Sequence, residues 1–164
     1  MIDLIKLIFR LFFKQIETIP IKSELPYKHL IESETAKRLG ILNEPNEEHI
    51  KNLQQLNLRI YTPIKTGLDK LGKTLAVTSG FRSPELNKHV GGSPNSDHMK
   101  GCALDLICES PEFLFKFIKG LDLPYFQLIK EPSWCHISIR FAEEPRKQDL
   151  EAYEENGQMK YRSI

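Results

Sequence analysis

Residues 96–108 read SDHMKGCALDLIC, and this stretch organises the rest of the chain. It runs from a polar loop through Gly101 into a short apolar segment with one acidic residue, Asp105, at its centre. A carboxylate inside an apolar strand is costly to bury alone. Asp105 therefore calls for an arginine partner or for a metal ion. On a strand it shares a face with Ala103 and Ile107, opposite Cys102, Leu104, Leu106 and Cys108. His98 stands seven positions before it, and Gly101 allows the backbone between them to come close. Further along, His136 sits within EPSWCHISI. Taken singly, His98 reads as a solvated loop side chain and His136 as a core histidine. Together the three supply two imidazoles and one carboxylate. Three protein ligands with a fourth position open is how a catalytic zinc is held.

Working outward, the elements around this stretch suggest a small α+β domain. KTLAVTS (73–79) reads as a strand and leads into the turn Gly80-Phe81-Arg82-Ser83-Pro84. Residues 85–90 offer one or two helical turns, and 91–96 form a Gly/Ser/Pro loop. Residues 111–120 read as a helix with Phe113, Leu114, Phe117 and Ile118 on one side. Residues 126–129 and 134–141 read as a hairpin of two strands.

Upstream, Ser33 is a candidate N-cap and Gly40 a stop for a short helix. A longer helix is expected over 47–71, carrying the stripe Ile50, Leu53, Leu56, Ile60, Ile64 and Leu68, with Pro63 as a kink or break. The end of the chain is charged, with a helix expected over 149–155 and fraying beyond. The class expected is α+β, a small mostly antiparallel sheet with helices packed on one side.

Composition narrows the function. The 164 residues suit about one domain, and a net charge of +1 provides no broad field for nucleic acid. Cys102, Cys108 and Cys135 are too few, and wrongly spaced, for a disulfide framework or a zinc finger, and read as core residues. The first 22 residues are apolar but carry Asp3, Lys6, Arg10 and Lys14 at helical spacing. They are too interrupted to span a bilayer and lack a cleavage site for export. Two readings stay open, a helix packed on the domain or one contacting a membrane surface. His29, His49 and His89 show no partner pattern.

Two more residues suit the chemistry. Glu131, on the turn before His136, can face the open side of a metal and move a proton from an attacking water to a leaving amine. Arg82 can clamp a substrate carboxylate or stabilise an oxyanion, or else serve as a structural partner for Asp105.

VTSGFRSPELNKHVGGSPNSDHMKGCALDL together with FQLIKEPSWCHISI resembles the peptidase M15 family of zinc D-Ala-D-Ala carboxypeptidases and phage L-alanyl-D-glutamate endopeptidases. The family's Ser-x-His-x-x-Gly-x-Ala-x-Asp is met by Ser96, His98, Gly101, Ala103 and Asp105, and its Trp-x-His by Trp134 and His136. The resemblance spans about residues 29–150. It implies a hedgehog/DD-peptidase-like site with one zinc per chain on His98, Asp105 and His136. It further implies Glu131 as the proton carrier, Arg82 as the group that binds or polarises substrate, Ser96 as a positioning residue and Trp134 as a wall of the site.

One departure concerns Glu131. Many members place the acidic residue three positions before the last histidine, where this chain has Ser133, and Glu131 stands five before it, across Pro132. Asp97 replaces a more usual polar residue and can add a hydrogen bond behind a ligand.

The expectation is therefore a peptidoglycan hydrolase acting on stem peptides outside the cytoplasmic membrane, of carboxypeptidase or endopeptidase type. Without a convincing signal peptide, it would be released from a host cell as a phage or prophage lysis enzyme. It is expected to act as a monomer with peptidoglycan peptide as its partner. The alternative is a non-catalytic wall-binding or virion structural module that retains the zinc site. The organisation expected is an N-terminal helix and connector (1–22), the peptidase domain (23–150) and a charged tail (151–164).

Overall fold

The computed structural model describes residues 28–164; the expected N-terminal helix over 1–22 lies outside them. The described chain is a mixed six-stranded sheet with its principal helices on one face. In order come α1 (Lys28–Ile31), α2 (Glu34–Leu39), α3 (Glu47–Leu56), a π-helical turn (Asn57–Tyr61) and α4 (Thr62–Lys70). These are followed by β1 (Ala76–Ser79), α5 (Pro84–His89), a 3-10 turn (Asp97–Lys100), β2 (Ala103–Ile107) and α6 (Pro111–Gly120). The last four strands are β3 (Gln127–Lys130), β4 (Cys135–Ser138), β5 (Gln148–Glu155) and β6 (Gln158–Ser163). Strand order is β1-β2-β4-β3-β5-β6, and every neighbouring pair is antiparallel except β3–β5.

Strand alternation divides the sheet into two chemically different faces. Leu104 of β2, Ile137 of β4 and Leu128 of β3 are register partners, all fully buried under the helices. The adjacent row is Asp105, His136 and Ile129, on the opposite face. The period of two thus sends the greasy half of CALDLIC into the core and its carboxylate into the site.

On the helix side, Leu53, Leu56, Ile60, Ile64 and Leu68 form one buried stripe running from α3 to α4. Pro63 neither breaks nor ends this helix. The turn before it widens, with the Thr62 N–H bonding to the Asn57 carbonyl. A π turn accommodates a proline that has no N–H to give.

Local caps follow the sequence closely. Ser33, Ser83 and Ser110 each accept a hydrogen bond at a helix N-terminus, and Gly40 closes α2 at φ 67°. All three cysteines are free and buried, and burial pushes the Cys102 thiol up to about 11 and the Cys135 thiol to about 12. They are core residues, as their spacing suggested.

The end of the chain departs from expectation. Residues 149–155, expected as a helix, are strand β5, and the expected charged tail from 151 continues into β6. Two interactions account for this. Leu150 and Ala152 bury against Ile129 on the site face of the sheet. On the other face Glu151 is held between Lys130 and Arg162, at 2.7 Å from each. The connecting Asn156-Gly157 has φ 53° and 73°, the left-handed pair of a tight hairpin.

Candidate metal centre

The three sequence-nominated ligands converge. His98 Nε2 lies 3.2 Å from Asp105 Oδ1 and 3.2 Å from His136 Nδ1, and His136 Nδ1 lies 2.9 Å from Asp105 Oδ1. These atoms form the one group of potential metal ligands found among the described residues. Ligands about 2.0–2.1 Å from a tetrahedral zinc stand roughly 3.3 Å apart, so the spacing is already close to that of a loaded site.

The fold fixes each ligand differently. Asp105 and His136 are cross-strand partners on β2 and β4. His98 arrives from the 3-10 turn, which Ser96 caps by accepting from the His98 backbone N–H at 3.3 Å. Gly101 ends that turn at φ 69°, and a Cβ there would stand 2.8 Å from the His49 carbonyl oxygen. Glycine is thus required twice over, for its backbone angle and for the close approach of α3. The His98 ring is oriented from behind by the Gly80 carbonyl, which accepts from Nδ1 at 2.6 Å. That leaves Nε2 as a lone pair aimed at Asp105 and His136.

Electrostatics favour a cation at the convergence point. Burial lowers the His98 pKa, so the ring prefers to be neutral and able to ligate. Burial pushes the Asp105 carboxyl up, but the His136 and His98 imidazoles beside it outweigh that and hold the group well below the usual carboxylate range. Three electron-rich atoms therefore face one another in a largely buried place, an arrangement that a divalent ion satisfies. Arg82 bonds the other carboxylate oxygen, Oδ2, and leaves Oδ1 to the imidazoles. Its Nε donates to Ser79 Oγ at 2.7 Å. Of the roles open to Arg82, the structural partner of Asp105 is thus realised, and the side chain also lines the cleft.

The ligands open onto a cleft of about 870 Å³ whose walls include Ser96, Glu131, Trp134 and Tyr161. Glu131 closes a two-residue turn, its N–H bonding the Trp134 carbonyl at 3.0 Å across Pro132 and Ser133. Its side chain is buried. Burial raises its pKa, His136 opposes the rise, Asp105 adds to it, and the neighbouring Tyr161 hydroxyl holds it back.

Asp97 does not back a ligand. It pairs instead with Arg140, at 3.1 and 3.2 Å from Nε, and Arg140 stacks over Phe126 at 3.8 Å. Three contributors were missed in sequence. Gly80 acts through its backbone, and Arg140 carries no motif. Tyr161 reaches the cleft through the Asn156-Gly157 hairpin turn, a local signal in the sequence before it.

Residues 23–138 match the family described as Peptidase M15. The chain belongs to the peptidase M15 family. A comparison with curated proteins returned no match. The match contains all three candidate ligands as well as Arg82, Ser96, Glu131 and Trp134, and it stops short of β5 and β6. This M15 peptidase therefore builds its cleft partly from a hairpin beyond the matched region.

Proposed function

We propose that this M15 peptidase is a zinc enzyme that hydrolyses amide bonds in the peptide stems of bacterial peptidoglycan. The observation that carries the reading is the convergence of His98 Nε2, His136 Nδ1 and Asp105 Oδ1 beside a buried carboxylate in one open cleft. When bound, zinc supplies Lewis-acid polarisation of a carbonyl and lowers the pKa of an attacking water.

The chain's own residues do the rest. Asp105, anchored by Arg82, and His98, anchored by the Gly80 carbonyl, would hold the metal together with His136. Glu131 takes a proton from the attacking water and returns it to the leaving amine. A raised pKa suits both halves of that task near neutral pH. Trp134 offers an aromatic wall to the substrate, and the remaining donor capacity of Arg82 suits a developing oxyanion or a substrate carboxylate. The work would take place at the cell wall, outside the cytoplasmic membrane, with release from a phage-infected cell as the route.

The test is digestion of purified peptidoglycan followed by mass spectrometry of the products. Loss of a terminal D-Ala identifies a carboxypeptidase, and cleavage beside the glycan-linked L-Ala identifies an endopeptidase. Glu131→Gln should keep the metal and lose at least about a hundredfold in rate. Wall binding without any released amino group would overturn the reading in favour of a non-catalytic module.

A further inference from the structure

The row of side chains that carries two of the candidate ligands continues past them. Asp105 of β2 pairs with His136 of β4, His136 with Ile129 of β3, and Ile129 with Leu150 of β5. All four line the cleft. Ile129 and Leu150, with Ala152, form an apolar cluster separate from the main core, on the sheet face away from the principal helices. Tyr161 of β6 is the register partner of Ala152 and lines the same cleft, with 52% of its surface open. In the other direction the sheet ends one strand beyond Asp105, at Ser79 of β1, whose Oγ is taken by Arg82. A substrate lying along the row is therefore carried by the sheet on the β3–β5–β6 side, over an apolar floor with an aromatic edge. Leu150 and Tyr161 stand outside the stretch matched to the family.

Spacing says which part of a stem peptide meets that floor. Neighbouring strands stand about 4.8 Å apart, so Ile129 and Leu150 lie roughly 5 and 10 Å from His136 along the row. Extended peptide advances about 3.4 Å per residue, so the second residue from the cleaved amide falls between them. The stem runs L-Ala, D-Glu, a diamino acid, then D-Ala-D-Ala. Its diamino acid is the second residue from the cut for either bond considered above, following D-Glu in one case and preceding the cleaved D-Ala in the other. We propose that Ile129, Leu150 and Tyr161 form a subsite for the alkyl side chain of the stem's diamino acid. The inference rests on the peptidoglycan reading of the cleft. A long alkyl chain ending in an ammonium suits this surface. Its methylenes cover Ile129 and Leu150, while its charged end passes the half-exposed Tyr161 ring to reach water, and a cation over an aromatic face is itself favoured.

The experiment measures kcat/KM of the full-length, zinc-loaded enzyme on synthetic stem peptides whose third residue is lysine, norleucine or 2,3-diaminopropionate. Lysine and norleucine share a long alkyl chain, whereas diaminopropionate carries its ammonium on a single methylene. The lysine and norleucine peptides should each exceed the diaminopropionate peptide by about tenfold or more, the scale of methylenes lost from an apolar site. In Tyr161→Ala the lysine-to-diaminopropionate ratio should fall by at least about threefold. A tyrosine that only stabilised the hairpin would lower both values and leave their ratio alone. Equal wild-type values across the three peptides overturn the proposal, and so does an unchanged ratio in Tyr161→Ala. Should Tyr161→Ala fail to fold, Tyr161→Thr, β-branched and suited to a strand, makes the same comparison. If no peptide is cut, the functional reading fails, and calorimetric affinities for the same three peptides still decide the subsite. Tighter binding of the lysine peptide that is lost in the Tyr161 variant supports it, and equal affinities overturn it.

Discussion

Gly80→Ala tests whether the metal centre is held by backbone packing far from any motif ligand. A Cβ at residue 80 would stand 2.2 Å from the Leu30 carbonyl oxygen and 2.9 Å from its carbon. Both are backbone atoms, so no flexible side chain can swing away. Relief requires a shift of about 1 Å between α1 and the loop after β1, given that ordinary contacts begin near 3.2 Å. Two hydrogen bonds depend on that junction, Phe81 N–H to the Leu30 carbonyl at 2.7 Å and His98 Nδ1 to the Gly80 carbonyl at 2.6 Å. Overpacking costs roughly 1–3 kcal/mol, and each weakened hydrogen bond adds about 1 kcal/mol. The expected loss is therefore about 3–5 kcal/mol.

Because the same shift frees the His98 ring, zinc affinity should fall about 10–100-fold, the usual effect of losing a partner behind a ligand. Urea unfolding of metal-free protein, followed through Trp134, the single tryptophan, gives the first number. Competition with a chromophoric chelator gives the second. Gly120→Ala is the control. A Cβ there meets nothing within 4 Å, and the change should be neutral or up to about 1 kcal/mol stabilising. An unchanged midpoint and unchanged zinc affinity in Gly80→Ala would show that this backbone junction does not hold His98 in place.

Other outcomes follow from the same structure. Asn43 bonds the Ile31 carbonyl at 2.7 Å, the Phe81 carbonyl at 3.1 Å and the Ser83 N–H at 2.6 Å. Asn43→Ala should cost about 2–4 kcal/mol in chemical denaturation, and a loss under half a kcal/mol would contradict the bracing role. Asp105→Asn removes the charge that Arg82 balances and should both abolish tight zinc binding, read by isothermal titration calorimetry, and destabilise the metal-free fold. Wild-type zinc affinity in that variant would exclude Asp105 as a ligand. Metal-free protein should lose stability as pH falls. The folded pKa of His98 lies below its unfolded value, so the unfolded chain takes up the proton first, beginning below about pH 6.5. Asp105, also depressed, adds its loss below about pH 4. Thermal midpoints that rise between pH 7 and pH 5 would contradict this.

The candidate ligands were legible because each stands in a short local motif, with Asp105 the one acidic residue of an apolar run and His136 in an alternating strand. Ser33, Gly40 and the helix Pro111–Gly120 were legible for a similar reason, since caps and periodicity act within a few residues. What stayed hidden depends on contacts between distant segments. Nothing near Gly80 announces that its carbonyl will orient His98, and nothing near Asp97 names Arg140 as its partner. The helix expected over 149–155 reflects how a Glu-rich run looks in isolation. In place, Glu151 finds Lys130 and Arg162, while Leu150 and Ala152 find Ile129, and the strand wins. The Asn156-Gly157 pair was the local signal for that hairpin, and with it for the arrival of Tyr161 at the cleft.

In the proposed enzyme His98, Asp105 and His136 hold a zinc ion on which peptide hydrolysis depends. The most direct measurement is hydrolysis of peptidoglycan by chelator-stripped protein as zinc is titrated back, for the wild type and for His136→Ala. Wild-type activity should be absent at the start and complete near about one equivalent, and His136→Ala should stay inactive throughout. Full activity in the stripped wild type, or recovery in His136→Ala at the same zinc concentration, would contradict the account.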